Sequence, residues 1–276
     1  MGIFSNITRD ILNAMSIVIN GVWSIWIYHT SRYKPVTHHY GTAKHQKLDL
    51  YLPKHTSSDK RPIIIYAHGG GWITGSRKNI PPAIWAQLKR GYIIASVNYS
   101  LLPKSTFPEP IDDLVIAYHW LKDRSEELSI DTNHMIGWGL SAGGQIINYA
   151  TLQHKIFTAV ISWYGFSDLD IDDPRYFHPI TQRLINAYVV DHSVNATDLI
   201  TKESPSFYLA YGGRDSYVPP DQSKRLYEAL QQSDNPSRIR VYPNYYHGDW
   251  RLNYEHSVRE INIFLDQITT HAADHD

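Results

Sequence analysis

The chain has 276 residues, 42% of them hydrophobic, enough for one α/β domain to bury a continuous sheet under helices on both faces. Its 26 basic and 27 acidic residues leave a net charge of -1 with no basic run, so the footprint of a nucleic-acid binder is absent and no nucleic-acid partner is expected. There is no cysteine, which excludes disulfides, thiolate metal sites and a cysteine nucleophile.

The first predicted element is a helix. Residues Ile11 to Tyr28 carry no charge, a run long enough to raise the question of a membrane anchor. Along the helix, Asn6, Arg9, Asn13, Ser16, Asn20 and Ser24 recur every three or four positions and form one stripe, leaving Leu12, Met15, Ile19, Trp23 and Trp26 to face elsewhere. No basic start or small-residue cleavage site accompanies the run, and the opening MGIFSN lacks the Ser or Thr of a myristoylation signal. Residues 1–46 are therefore expected to form an amphipathic cap or lid. Membrane-surface contact through this helix is the less favoured alternative, and the expected location is cytoplasmic. His38, His39 and His45 follow in a polar stretch without an HEXXH motif; they are read as solvated, and no metal is expected.

Strands are predicted near 47–52, 62–67, 92–98, 134–140, 157–163, 206–212 and 238–242, most of them separated by helical patterns, which describes a mostly parallel α/β sheet. His55 to Arg61 is read as a turn. Directly after RPIIIYA comes HGGGW, His68 to Trp72, whose consecutive glycines leave peptide N–H groups open to an approaching oxyanion. IDDLVIAYHWLKDR places Leu114, Ala117, Trp120 and Leu121 at helical spacing. Gly139 to Gly143 read GLSAG between a strand-like HMIGWGL and a helix-like GGQIINYATL, the context of a nucleophile elbow. There Gly139, Ala142, Gly143 and Gly144 leave room for a strained serine.

From Gly165 to Ser204 the alternation lapses, and 166–203 is expected to be a second cap segment. SFYLAYGGRDSYVP then offers Asp215 after a strand, PDQSKRLYEALQQS a helix, and RIRVYPNYYHGDW offers His247 after the last strand. The chain order Ser141, Asp215, His247 is that of α/β-hydrolases. Asp168, Asp170 and Asp249 compete for the acid, Asp168 most seriously because it follows the strand-like TAVISWYG; Asp249 is expected to face solvent. His256 competes for the base but lies within the helix-like LNYEHSVREI. Trp72, Tyr164 and Tyr246, with Phe166 and Trp250, fall beside the motif ends, as candidates for lining a substrate pocket and equally for core packing. The sequons at Asn6, Asn98 and Asn195 are read as chance.

In these blocks the chain resembles α/β-hydrolases of the esterase and lipase group related to hormone-sensitive lipase, especially small carboxylesterases carrying HGGGW and GxSAGG. The resemblance runs over roughly residues 47 to 267. It departs from that group at Leu140, where GDSAG is usual, and at SVNYSLLP, where YRLAP is usual. In the first respect it is closer to feruloyl-esterase-like and kynurenine-formamidase-like branches. The resemblance implies a single α/β-hydrolase domain over 1–276 with a small cap, needing no cofactor. It implies Ser141 as nucleophile, His247 as base, Asp215 as its orienting acid, the N–H groups of Gly69, Gly70 and Ala142 as oxyanion donors, and His68 as the brace of the glycine turn. A carboxylic ester of small or medium acyl length is the expected substrate. An arylformamidase-type amidase or a carbohydrate deacetylase would use the same triad, and a non-catalytic hydrolase-fold binding protein is the remote alternative.

Overall fold

The computed structural model describes residues 2–54, 60–170, 176–190 and 194–271; for 2–6 and 270–271 this extends to the backbone only. Residues 55–59 of the turn expected over His55 to Arg61, and part of the second cap segment, lie outside the described residues, while Arg61 opens β3. The strands are β1 (Val36–His39), β2 (Lys47–Tyr51), β3 (Arg61–Ala67), β4 (Ile93–Val97), β5 (Ile130–Leu140), β6 (Ala159–Trp163), β7 (Ser206–Gly212) and β8 (Arg238–Tyr242). The helices are α1 (Gly2–Thr30), α2 (Pro82–Lys89), α3 (Glu109–Asp123), α4 (Ala142–His154), α5 (Pro179–Tyr188), α6 (Asp221–Gln232) and α7 (Glu255–His271).

The strands form one 8-stranded sheet in the order β1-β2-β4-β3-β5-β6-β7-β8. β1 and β2 are antiparallel to their neighbours, and the remaining six run parallel from β4 to β8. This is the α/β-hydrolase fold, a mostly parallel sheet with helices on both faces. The inner parallel strands β3, β4, β6 and β7 are buried along nearly their whole length, as helices on both faces require. On β3, Ile63, Ile65 and Ala67 join one core with Leu114 of α3, Ile146 of α4 and Leu226 of α6. Ile64 and Tyr66 join the other, with Ile84 and Leu88 of α2 and Ile261 and Phe264 of α7. Local charge helps place α3, whose first turn carries Glu109 and Asp112 and whose last turn carries Lys122, each favourable to the helix dipole.

Connections reverse direction between β3 and β5: β3 leads by α2 to β4 on one side, and β5 leads by α4 to β6 on the other. A crevice therefore opens at the carboxyl ends of β3 and β5, where open α/β sheets place their ligands. Their register pairs Ala67 with Gly139, so the glycine loop after β3 and the turn after β5 emerge side by side.

One element differs from expectation. β1, placed by sequence within the N-terminal cap region, is an edge strand of the central sheet, paired Val36 to Leu50 and His39 to Lys47. Its VTHH is short and largely exposed, so it carries no alternating apolar signal. The orientation of α1 is left open by its periodicity. Its polar stripe turns inward, burying Asn13, Ser16, Asn20 and Ser24, while Ile11, Met15, Val18, Val22 and Trp26 face outward. His45 is exposed, as expected, while its Nε2 lies 3.0 Å from the buried Asp113 carboxylate, and the His38 ring packs 5.0 Å from that of Trp120.

Candidate active site

Ser141 stands between the last residue of β5 and the first of α4, with φ 53 and ψ -120. A side-chain-bearing residue holds such a backbone only when its surroundings over-determine it. Here they do: Ser141 N–H donates to the Trp163 carbonyl at 3.0 Å. The chain also closes so tightly that a Cβ on Gly139 would stand 2.3 Å from the Gly143 carbonyl oxygen. A Cβ on Gly143 would stand 2.2 Å from the carbonyl oxygen of Ala67. The GxSxG spacing is thus a steric requirement at both glycines.

Ser141 Oγ lies 2.9 Å from His247 Nε2, and His247 Nδ1 donates to Asp215 Oδ2 at 2.6 Å. The second oxygen of Asp215 accepts from the N–H groups of Tyr217 and Val218, each at 2.9 Å. Asp215 and His247 are buried. Both sit beyond neighbouring parallel strands, β7 and β8, whose register pairs Gly212 with Tyr242.

The competing residues are elsewhere. Asp168 accepts from Thr197 Oγ1 at 2.7 Å and faces Arg225 at 3.7 Å. Asp170 is exposed, with its N–H on Asn195 Oδ1. His256 lies in α7, 3.2 Å from the Arg240 guanidinium. Asp249, expected to face solvent, is instead buried and paired with Arg251 at 2.6 Å. Its carboxylate accepts from the N–H groups of Tyr246 and Arg251, shaping the loop that carries His247.

Ser141 and His247 open onto a cavity of about 620 Å³, which Gly69, Gly70, Gly71, Trp72, Tyr164 and Phe166 also line. Gly69 lies against the elbow: a Cβ there would be 3.4 Å from the Ser141 Cβ. Ala142 is the first residue of α4, where a backbone N–H has no carbonyl within the helix to receive it. His68 is buried, stacks on Tyr99 at 4.3 Å and sets Nδ1 2.9 Å from the Gly69 carbonyl oxygen. Burial pushes its pKa down to about 4, so the ring is neutral and fastened to the turn it precedes.

Trp72 is buried, stacks on Tyr188 at 4.5 Å and donates from Nε1 to Gln145 at 3.2 Å. The Tyr164 ring lies 4.9 Å from that of His247. Burial, then the negative charges of Asp215 and Asp249, raise the pKa of its hydroxyl, which stays protonated. Tyr246 and Trp250 are not among the cavity's lining residues. The Tyr246 hydroxyl accepts from Arg214 at 3.3 Å, and the Trp250 ring packs 6.4 Å from that of Trp23.

Sequence reasoning left out the contribution of α1. Asn13 Oδ1 accepts from His247 N–H at 2.7 Å and from Ser216 N–H at 3.5 Å, while its amide donates to the Arg214 carbonyl at 3.3 Å. Asn20 donates to the Gly248 carbonyl at 3.2 Å. The loops bearing Asp215 and His247 are therefore tied to one asparagine from the other end of the chain. Ile17, Asn20, Gly21, Ser24 and Ile25 form one wall of the cavity, and Ile180, Thr181 and Leu184 of α5 form another. The signal for α1 was present in its polar stripe, which named the right residues without saying what they would face. Among the described residues no group of three or more His, Cys, Asp or Glu side chains is arranged to hold a metal ion.

Comparison with known proteins adds the family. The BD-FAE family matches residues 48–230. Esterase LipC of Mycobacterium tuberculosis is 24% identical over 216 residues, 70% of this chain and 54% of that protein. Acetyl esterase of Salmonella schwarzengrund is 26% identical over 225 residues, 72% of this chain and 68% of its own. The chain spans about half the length of the first curated relatives it matches. Among solved structures, esterase 2 of Thermogutta terrifontis superposes with a TM-score of 0.76 at 19% identity, covering 85% of this chain and 95% of that one. At that identity the likeness concerns the fold.

Proposed function

The chain belongs to the BD-FAE family of α/β-hydrolases, and from that premise we propose that it is a serine hydrolase cleaving carboxylic esters of small to medium acyl length. The observation that carries this reading is the hydrogen-bonded series Ser141, His247, Asp215, which ends on a cavity beside the glycine loop. The relatives named esterase and acetyl esterase support the choice of bond.

In the proposed reaction Ser141 Oγ attacks the acyl carbonyl as His247 Nε2 takes its proton. Asp215 holds the imidazolium through Nδ1–H, with its own charge supported by the Tyr217 and Val218 N–H groups. The oxyanion is received by the N–H groups of Gly69, Gly70 and Ala142, each such donor typically worth about 3 kcal/mol of barrier. His247 then protonates the departing alcohol, leaving an acyl-enzyme that water cleaves by the same steps in reverse. Trp72, Tyr164 and Phe166 supply apolar wall for the acyl group. Helix α1 of the 1–46 region and α5 of the 166–203 segment act as the cap.

Hydrolysis of a p-nitrophenyl ester series from acetate to long-chain acyl groups, by the protein and by Ser141→Ala in parallel, tests the reading. Serine-dependent turnover peaking at short or medium chains is expected. Labelling of Ser141 by a fluorophosphonate without turnover of any ester would transfer the assignment to an amidase or deacetylase. A serine that does not label would leave only the binding-protein alternative.

A further inference from the structure

Along α1 the residues Ile11, Met15, Val18, Val22 and Trp26 recur at the spacing of a single helix face and are each between 51% and 63% exposed. On the opposite face Asn13, Ser16, Asn20 and Ser24 are no more than 7% exposed. A helix packed on a protein and bathed in water has the reverse arrangement. Contiguous apolar surface of this extent on a folded protein marks a face that something else covers.

Chemistry beside the helix indicates what. By length and composition Ile7–Thr30 would suffice to cross a membrane. Its carboxyl end meets a group of exposed cations: Arg32 and Lys34 follow it in the chain, Lys78 stands 5.4 Å over the Tyr28 ring and Lys54 5.5 Å over the Tyr33 ring. Lys89 lines a groove with Ile27, Arg32, Tyr33 and Lys54 in which, among the described residues, no carboxylate takes part. Apolar face, exposed Trp26 and adjoining cations together match the acyl, interfacial and headgroup levels of an anionic bilayer. The polar face is already engaged, since Asn13 and Asn20 hold the backbone of the Asp215 and His247 loops. In a spanning helix those amides would have to leave these partners for hydrocarbon, at a cost that favours lying on the surface.

We infer that α1 seats this protein on the surface of an anionic lipid bilayer, with its outward apolar stripe among the acyl chains and its inward polar stripe holding the site. The cavity is continuous with that seat, because Ile17 and Ile25 are partly exposed on α1 and also line the pocket. Resting on the ester-hydrolase reading, the substrate class is then an apolar ester partitioned into the bilayer and drawn into the pocket beside α1.

The test is flotation of the full chain with vesicles of phosphatidylcholine alone and of phosphatidylcholine mixed with phosphatidylglycerol. It is run on Ser141→Ala protein, so that lipid binding and catalysis can fail separately. Flotation with the anionic vesicles and weaker flotation with the neutral ones are expected. The variant Met15→Gln/Val18→Gln/Val22→Gln, which touches neither the cavity nor the inward hydrogen bonds, should lower the bound fraction about tenfold. Lys54→Glu/Lys89→Glu should reduce binding to the level seen with neutral vesicles. In the active enzyme both variants should retain turnover of soluble p-nitrophenyl acetate while losing preference for a vesicle-borne ester. Three results would each overturn the inference: protein left at the bottom of the gradient with both vesicles; a lipid-independent dimer abolished by the apolar variant; or binding that salt leaves intact and only detergent reverses, which would denote a spanning helix.

Discussion

Helices α1 and α7 are both amphipathic, yet they dock by opposite faces: α7 buries Ile261, Phe264 and Leu265, whereas α1 buries Asn13, Ser16, Asn20 and Ser24. For α7 the partner is an apolar sheet face, and hydrophobic burial decides. For α1 the partner is a pair of loop ends whose backbone groups need acceptors and donors, and hydrogen bonding decides. The same distinction divides the catalytic residues. Ser141 is held by its own neighbourhood, with the elbow glycines packed against β3 and the strand register setting it beside the glycine loop. Asp215 and His247 are held in part from the other end of the chain.

The strongest separation of these two halves comes from chemistry. Ser141→Ala should lower ester turnover by a factor of about 10⁴ or more with the melting temperature nearly unchanged. Gly143→Ala should do the converse to the elbow. Its Cβ would stand 2.2 Å from the Ala67 carbonyl oxygen, so a loss of at least about 3 kcal/mol in denaturant unfolding is expected; unchanged stability would mean that the elbow tolerates bulk.

The locally built half should also carry a pH signature. His68 titrates near 4 in the fold against an ordinary 6.5. Between those values the unfolded chain binds a proton that the folded one does not, so stability is full above about pH 6.5 and is lost as pH falls towards 4, by on the order of 3 kcal/mol. Thermal melts across that range should show this slope, and His68→Gln should flatten it.

On the half held from a distance, Asn13→Ala leaves the buried His247 N–H without its acceptor. A loss of about 1–3 kcal/mol in stability and about tenfold in kcat is expected, with Asn13→Asp recovering part of both by restoring the acceptor. A wild-type kcat in Asn13→Ala would separate α1 from the triad altogether. The smallest effect belongs to the outward face, where Val22→Gln should alter stability by no more than about 0.5 kcal/mol in lipid-free buffer.

Much of this molecule was legible from residue order. Seven of the strands follow from short apolar runs near the observed spans, and GLSAG, HGGGW and the two strand-loop signals named Ser141, Asp215 and His247, which the fold brings within hydrogen-bonding distance. β1 was not legible because VTHH owes its extension to pairing with β2. Asp249 and Tyr246 were misplaced for a related reason. Both lie in the His247 loop, where Arg251 pairs with the first and Arg214 bonds to the second, and no periodicity records which side of a loop faces in.

Residue order alone fixes those features whose cause is local: the elbow, where only glycine fits two positions to either side of the serine, the glycine loop, seven of the strands, and the order of the catalytic groups. Periodicity also established that α1 has a polar and an apolar face. Which face turns inward was decided only by tertiary structure. The backbone groups of Arg214, Ser216, His247 and Gly248 become a surface that needs asparagine once β7 and β8 lie side by side, and the chain that meets them comes from more than 200 positions away.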